Sequence, residues 1–384
     1  MSGGGKDRAD VLIFVEDPGA VNAVVDLPQA LAATGLKTRT LATGHAVEYL
    51  ASFGADFTEP DAAADAAALI DALNPRMVVS GTSENPDTLG LKLIAEARKR
   101  GLANVGFLDG PASADHRFRG SGDVPLAFAP EWILVPDAMT RKRYQALGHP
   151  VERIVDCGHP YFDRVRVTAA ELAKRGKAAV LAEVLPDAPP DRPVVVFLAE
   201  ISTSLAPEKL RRSPEYTLHG RGGSDLRTQI VLEEVLDAVT LIEPRPYFVL
   251  RLHPKNSADE FDAYGPEIDS LSQSGLAADL VYAADLVIGM TTILLFEAAL
   301  MDCPTLSVTP KPSETEWLTS IGLGITPSVH TREDLREILP AALADPGRVM
   351  GTPPGEVLNF GALERMADFI SGLLADDTSA RETN

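Results

Sequence analysis

His253, Pro254 and Lys255 follow directly on an apolar run, FVLRL (248–252). Side chains alternate along a strand, so Arg251 and His253 fall on one face. Pro254 ends the hydrogen-bonded ladder and stiffens the exit. A lone histidine often serves structure; an imidazole held at a strand's end between Arg251 and Lys255 suits a phosphate. A second stretch, DLVIGMTTILLFEAAL (285–300), ends a strand at Gly289 and opens an apolar helix with Thr291 and Thr292. The unbonded N–H groups and dipole of a helix start point where those hydroxyls point, which makes a seat for an anion. Glu297 lies further along the same helix, and a carboxylate among core residues needs partners. Ribose hydroxyls would supply them, and so would hydrogen bonds within the protein.

Carboxylates stand at other strand ends. In VLIFVEDPGAVNAV, Glu16 and Asp17 close the run and Gly19 lets a backbone approach. Asp17 reads equally as a helix N-cap, with Pro18 at the first helical position. In GFLDGPASADHRFRG (106–120), Asp109 could take a proton from a hydroxyl nucleophile, or belong to an Asp-Gly turn. His116, Arg117 and Arg119 beside it are either a basic cluster or a solvated loop. The hydroxyl-rich SGTSENPD (80–87) reads first as a helix start. The segment AEISTSLAPEKLRRSPEYTLHGRGGSDLR (199–227) is long and aperiodic, which usually means a functional or disordered loop. Its Arg211, Arg212, His219, Arg221 and Arg227 suggest a lid over an anion; the other reading is a surface insertion.

These positions need a scaffold. β-branched runs alternate with Ala/Leu helical patterns: VLIFV (11–15), MVVSG (77–81), NVGFLDG (104–110), WILVP (132–136) and RIVDCGHP (153–160). After a charged helical stretch and the proline-rich LPDAPPDRP, the rhythm restarts with VVVFLAE (194–200), FVLRLHP (248–254), DLVIG (285–289) and TLSV (305–308). This predicts an α/β chain of two Rossmann-like domains with parallel sheets. The expected boundaries are 1–160, a linker at 161–192, and 193–360, with a C-terminal helix over 361–376 packing back on the first domain. In such sheets ligands sit outside the carboxyl ends of the strands.

The bulk numbers exclude several classes. The 384 residues suffice for two domains, and 45% apolar content is enough to build their cores. A formal charge of −20 opposes binding to nucleic acid and tight membrane docking. No apolar run is long enough to span a bilayer, and the start MSGGGKDRAD lacks a signal peptide's apolar core. Cys157 and Cys303 stand far apart with no metal-ligand spacing, which fits a reducing cytoplasm. There is no GxGxxG, and the GGGK near the start lacks Walker spacing.

The run D-x-x-I-G-x-T-T-x-x-x-x-E-A-x-x-x-x-x-P (285–304) resembles the donor half of GT-B glycosyltransferases and nucleotide-sugar 2-epimerases. That resemblance implies a GT-B fold, with two sheets facing across a cleft, and a ribose-holding role for Glu297. His253-Pro254 together with Thr291-Thr292 resembles bacterial sialyltransferases, polysialyltransferases and CDP-glycerol glycerophosphotransferases. It implies that His253, Thr291 and Thr292 grip the phosphate of a cytidine nucleotide. Leu108-Asp109-Gly110 is similar to the acidic-Asp-Gly motif of those sialyltransferases and implies Asp109 as general base, with Asp17 or Glu16 in reserve. The chain departs from that motif at Leu108. CGHPYFD (157–163) is similar to the segment that crosses into the second half in several GT-B proteins.

The implied function is transfer of a sugar, a nonulosonic (sialic-like) acid, from a CMP-activated donor to a hydroxyl acceptor in glycan or glycoconjugate synthesis. The donor-binding set would be Arg251, His253, Pro254, Lys255, Gly289, Thr291, Thr292, Glu297, Ser202, Ser204 and Arg221. No metal and no cofactor would be needed beyond the nucleotide-sugar substrate. The acceptor would be a glycan, a lipid-linked sugar or a protein, with a peripheral membrane contact in the lipid-linked case. The alternatives are a UDP-sugar-dependent transferase or hydrolysing UDP-GlcNAc 2-epimerase, and a non-catalytic GT-B-like binding protein.

Overall fold

The computed structural model describes residues 8–83, 85–111, 113–201 and 207–382. Central strands covered on both faces must be apolar throughout, because each face meets helices. β1 (Val11–Val15) obeys this: Val11, Ile13 and Val15 enter one core, and Leu12 and Phe14 enter the core on the opposite face. The chain divides into two compact units, Met1–Asp163 with Leu358–Asn384, and Arg164–Val357.

Unit one contains β1, β2 (Thr38–Ala42), β3 (Met77–Gly81), β4 (Ala103–Phe107), β5 (Trp132–Val135) and β6 (Ile154–Asp156), paired in parallel in the order β2-β1-β3-β4-β5-β6. Unit two contains β7 (Val194–Leu198), β8 (Tyr247–Arg251), β9 (Ser270–Ser272), β10 (Leu286–Gly289), β11 (Thr305–Val308) and β12 (Ser328–Val329), all parallel, in the order β12-β11-β10-β7-β8-β9. In each sheet the first strand is internal and the chain reverses its direction of winding beside it. This places a topological switch point between β1 and β3, and another between β7 and β10, the positions where such sheets leave a crevice for ligands.

Three strands escaped the sequence reading: β2, β9 and β12. All three lie at sheet edges, where one side needs no apolar cover and strands are short and polar. The segment 161–192 carries two helices, Pro160–Arg175 and Lys177–Val184, before its proline-rich end. The C-terminal helix Ala362–Glu382 buries Met366, Ala367, Ile370 and Leu374 in the core of unit one. Both cysteines are free and buried, and burial pushes each thiol up to about 12. Among the described residues no helix is long and apolar enough to cross a membrane.

CGHPYFD has a structural explanation within unit one. Gly158 adopts φ +81°, and a Cβ there would lie 2.1 Å from the carbonyl oxygen of Asn359. Asp163 accepts from the N–H groups of Gly361 and Ala362, both at 2.8 Å, at the start of the C-terminal helix. Arg365 donates back to the Cys157 carbonyl from Nη2 at 2.9 Å. The motif thus docks the returning chain. Gly158→Ala is expected to destabilise the protein by roughly 2–4 kcal/mol, combining left-handed backbone strain with a backbone clash. Chemical denaturation would measure it, and a loss below about 1 kcal/mol would refute the docking argument.

Candidate functional site

In unit two the site begins with β10. Its helix, Ile293–Leu300, is held by Leu295, Phe296, Ala298, Ala299 and Leu300, all buried. Thr292 is the N-cap and its Oγ1 accepts from the N–H of Leu294 at 3.4 Å. Gly289 closes the strand; a Cβ on it would stand 3.4 Å from both Leu295 Cδ2 and Thr292 Cγ2. Thr291, one residue before the cap, turns both its N–H and its hydroxyl to the carboxylate of Glu200.

Glu200 lies just past the end of β7, and His253 just past the end of β8. Leu198 pairs with Arg251, the N–H of Ala199 still donates to the Arg251 carbonyl at 2.9 Å, and Ile288 pairs with Phe197. Carried onward, both registers place Thr291, Glu200 and His253 on one rung. The rung spans two strand spacings, about 10 Å from end to end. Glu200's charge is felt at the imidazole.

His253 is half-buried. Its Nδ1 accepts from the N–H of Lys255 at 3.1 Å, so the neutral ring carries its proton on Nε2. Burial, and secondarily Lys255, push its pKa below the ordinary 6.5, while Glu200 opposes the shift. At neutral pH the group is therefore an uncharged Nε2–H donor. Arg251 donates to Ser272 Oγ at 2.9 Å and to the carbonyls of Ser274 and Gly275. These are neutral acceptors, and burial lowers its pKa. Pro254 and Lys255 are exposed, and Glu297 is half-buried on its helix.

Beneath Thr291 lies a charge cluster. Arg227 is 1% exposed and begins the helix Arg227–Val239. It donates to Glu200 from Nη1 at 2.6 Å, and to Glu314 Oε2 from Nε at 2.8 Å and Nη2 at 2.6 Å. Its Nη2 also reaches Thr291 Oγ1 at 3.4 Å, and its guanidinium carbon lies 5.3 Å from the ring centre of the partly exposed Trp317.

In the described part of the 199–227 segment, Arg221 and Arg212 are held by the protein's own groups. Arg221 is shared by Asp237 and Glu267, with contacts of 2.6–2.9 Å that raise its pKa. Asp237 stands ten residues along the helix from Arg227, about 15 Å along its axis. Arg221 is therefore committed away from the Thr291 end of that helix. Arg212 binds Asp225 and the carbonyls of His219 and Ser224. Ser202 and Ser204 lie outside the described residues.

The sequence reading missed Glu200 and Glu314, and read Arg227 as lid rather than buried anchor. Glu200 did carry a signal: it is the first charged residue after an apolar strand, as Arg251 and His253 are at the end of β8. Glu314, in KPSETEW, carried none.

Unit one gathers carboxylates at the ends of β1 and β4. Asp109 pairs with buried Arg117 at 3.2 Å. Its Oδ2 rests on Gly19 so closely that a Cβ there would lie 2.3 Å away, which accounts for the glycine. Asp17 occupies the N-cap position of the helix Pro18–Val24, with Pro18 at its first turn, but its side chain makes no capping bond. Glu16 accepts from Asn85 Nδ2 at 2.9 Å through Oε1, and its buried Oε2 has no hydrogen-bond partner among the described residues. The basic cluster separates: Arg117 serves Asp109, while Arg119 contacts His116 at 3.1 Å and His116 contacts Asp115 at 3.2 Å.

No protein-family model matches the chain, and no curated protein sequence matches it. Solved structures do match. The UDP-GlcNAc 2-epimerase of Methanocaldococcus jannaschii aligns with TM-score 0.64 at 13% identity, over 94% of this chain and 99% of that one. HepE of Anabaena, in complex with UDP-glucose, aligns with TM-score 0.54 at 11% identity, over 97% and 100%. The wall teichoic acid polymerase TagF aligns with TM-score 0.51 at 12% identity, over 96% and 89%. At such identities the likeness is one of fold, and that fold is GT-B: two Rossmann-like units in one chain, each built on an open parallel sheet.

Proposed function

We propose that this chain is a nucleotide-sugar enzyme, a glycosyltransferase whose unit two binds the donor by its phosphate. The feature that carries this reading is the rung shared by Thr291, Glu200 and His253 when the registers of the adjacent strands β10, β7 and β8 are carried past their last pairs. His253 donates its Nε2–H to a phosphate oxygen. Thr291 and Thr292 present hydroxyls beside the N–H groups that open the helix Ile293–Leu300. Donors fixed where charge develops on a leaving group lower the barrier without reorganising during reaction.

In the transfer step the acceptor hydroxyl oxygen bonds to the anomeric carbon as the bond from that carbon to the phosphate oxygen breaks. The electron pair leaves with the nucleotide, and the hydroxyl proton passes to a carboxylate. Asp109 is the assigned base, with Asp17 and Glu16 the other candidates. A metal-independent reaction is part of the proposal, since His253 and the helix N–H groups would take the cation's place.

The donor we favour is a CMP-activated nonulosonic acid, from the pairing of His253-Pro254 with Thr291-Thr292. A UDP-sugar reading, transferase or 2-epimerase, is favoured by a separate observation: the likeness in fold to the M. jannaschii epimerase and to UDP-glucose-bound HepE. Thermal-shift and calorimetric titration with CMP, CDP and UDP separate the two. Cytidine nucleotides are expected to raise the melting temperature by several degrees at a hundredfold excess over Kd, about 2.7 kcal/mol of linkage. A response to UDP alone would remove the cytidine donor. No response to any nucleotide would leave a non-catalytic GT-B-like protein.

A further inference from the structure

The donors that a phosphate would use at Thr291 are already engaged by the chain's own carboxylate. The N–H and hydroxyl of Thr291 both bind Glu200, and so does Nη1 of Arg227. The cluster holds one guanidinium and two carboxylates, a formal charge of −1, with Arg227 and Glu314 fully buried. That is the wrong sign to receive an anion. The cluster is also short of donors: Glu314 accepts two bonds from Arg227 at Oε2, while its buried Oε1 has no hydrogen-bond partner among the described residues. Burial pushes the Glu314 carboxyl up from its ordinary range.

We propose that Glu200 is an exchangeable internal ligand, a carboxylate that mimics the substrate's phosphate on Thr291 and is displaced by it. The inference rests on the reading of unit two as a phosphate site. Glu200 is placed for exchange. It is only partly buried, it belongs to no strand, and Arg227 can hold it by Nη1 while Thr291 is released to the incoming oxygen. Competition of this kind sets selectivity: an anion met by Thr291 alone gains little by replacing a carboxylate, whereas a phosphate that also receives a hydrogen bond from His253 gains more. It also gives the departing nucleotide a competitor that takes back its donors, which favours release.

The test is isothermal titration of the full chain and of Glu200→Gln with inorganic pyrophosphate, CMP and CDP. Glutamine keeps the size and an acceptor oxygen but removes the charge. Removing one negative charge within contact distance of the seat is expected to tighten pyrophosphate binding by about tenfold or more. Thr291→Val in the Glu200→Gln background should abolish the gain. Should the glutamine variant fold poorly, Glu200→Asp keeps the charge and withdraws it by one methylene, and a smaller gain is expected. Unchanged or weaker pyrophosphate binding in these variants, or none in either protein, overturns the proposal. Tightened pyrophosphate binding without any nucleotide binding sustains the exchange and refutes the nucleotide reading. Nucleotide binding that does not improve does the reverse.

Discussion

Arg227→Met is expected to lower the stability of the protein by about 3–5 kcal/mol at neutral pH, because it leaves the buried Glu314 and the partly buried Glu200 without their counter-charge. The arginine is 1% exposed and donates to Glu200, Glu314 and Thr291. Methionine fills the volume but strands Glu314, which is fully buried. The melting temperature should fall by on the order of 10 °C. The sign of the pH dependence follows from the same geometry. Burial already pushes the Glu314 carboxyl up, and without Arg227 nothing offsets that burial, so the penalty is complete above its raised folded-state pKa. As pH falls through that value toward the unfolded one, Glu314 takes up a proton and the penalty disappears. Arg227→Met combined with Glu314→Gln should recover part of the loss at neutral pH. Denaturation curves at several pH values check all of this, and a variant of wild-type stability at pH 7 would show that the cluster is not held by its charges.

On the proposed function, His253→Ala is expected to lower sugar transfer by about 10²–10³-fold, the usual cost of removing one donor to a developing charge. Stability should change little, since the ring's hydrogen bond with the Lys255 N–H is local. His253→Asn, which can donate from a similar place, should recover part of the activity. Because burial and Lys255 hold the imidazole's pKa below 6.5, His253 is a neutral donor at pH 7. Lowering the pH charges the ring, so affinity for a phosphodiester such as a nucleotide sugar should rise below neutrality in the wild type and stay flat in the alanine variant. Turnover and Kd measured together from pH 5 to 8 decide the matter. An alanine variant with unaltered turnover would exclude His253 from the chemistry.

The two experiments probe different layers of one structure. The rung holds the groups that would meet substrate, and the cluster below it fixes where Thr291 stands. Arg227 touches both, through Glu314 on one side and Thr291 Oγ1 on the other. A change in the cluster should therefore also reach the proposed phosphate site. The helix Ile293–Leu300, with its buried apolar side chains, keeps Thr292 at the cap whatever the cluster does.

Sequence by itself determined the parts whose physics is local. The alternation of apolar runs and helical stretches identified the central strands, since a strand covered on both faces has no choice but to be apolar. Strand-end residues such as Asp109, His253 and Thr291 were legible because they interrupt those runs at the positions where open sheets bind ligands. Tertiary structure alone decided everything that depends on pairing order. β7 lies between β8 and β10, so Glu200 stands between His253 and Thr291, although 53 residues separate the first pair and 91 the second. Arg227 meets Glu314 across 87 residues and becomes a buried anchor, while Arg221 finds Asp237 and Glu267 and is spent on them. A charged side chain's role is set by the counter-charge it meets, and spacing along the chain does not say which one that will be.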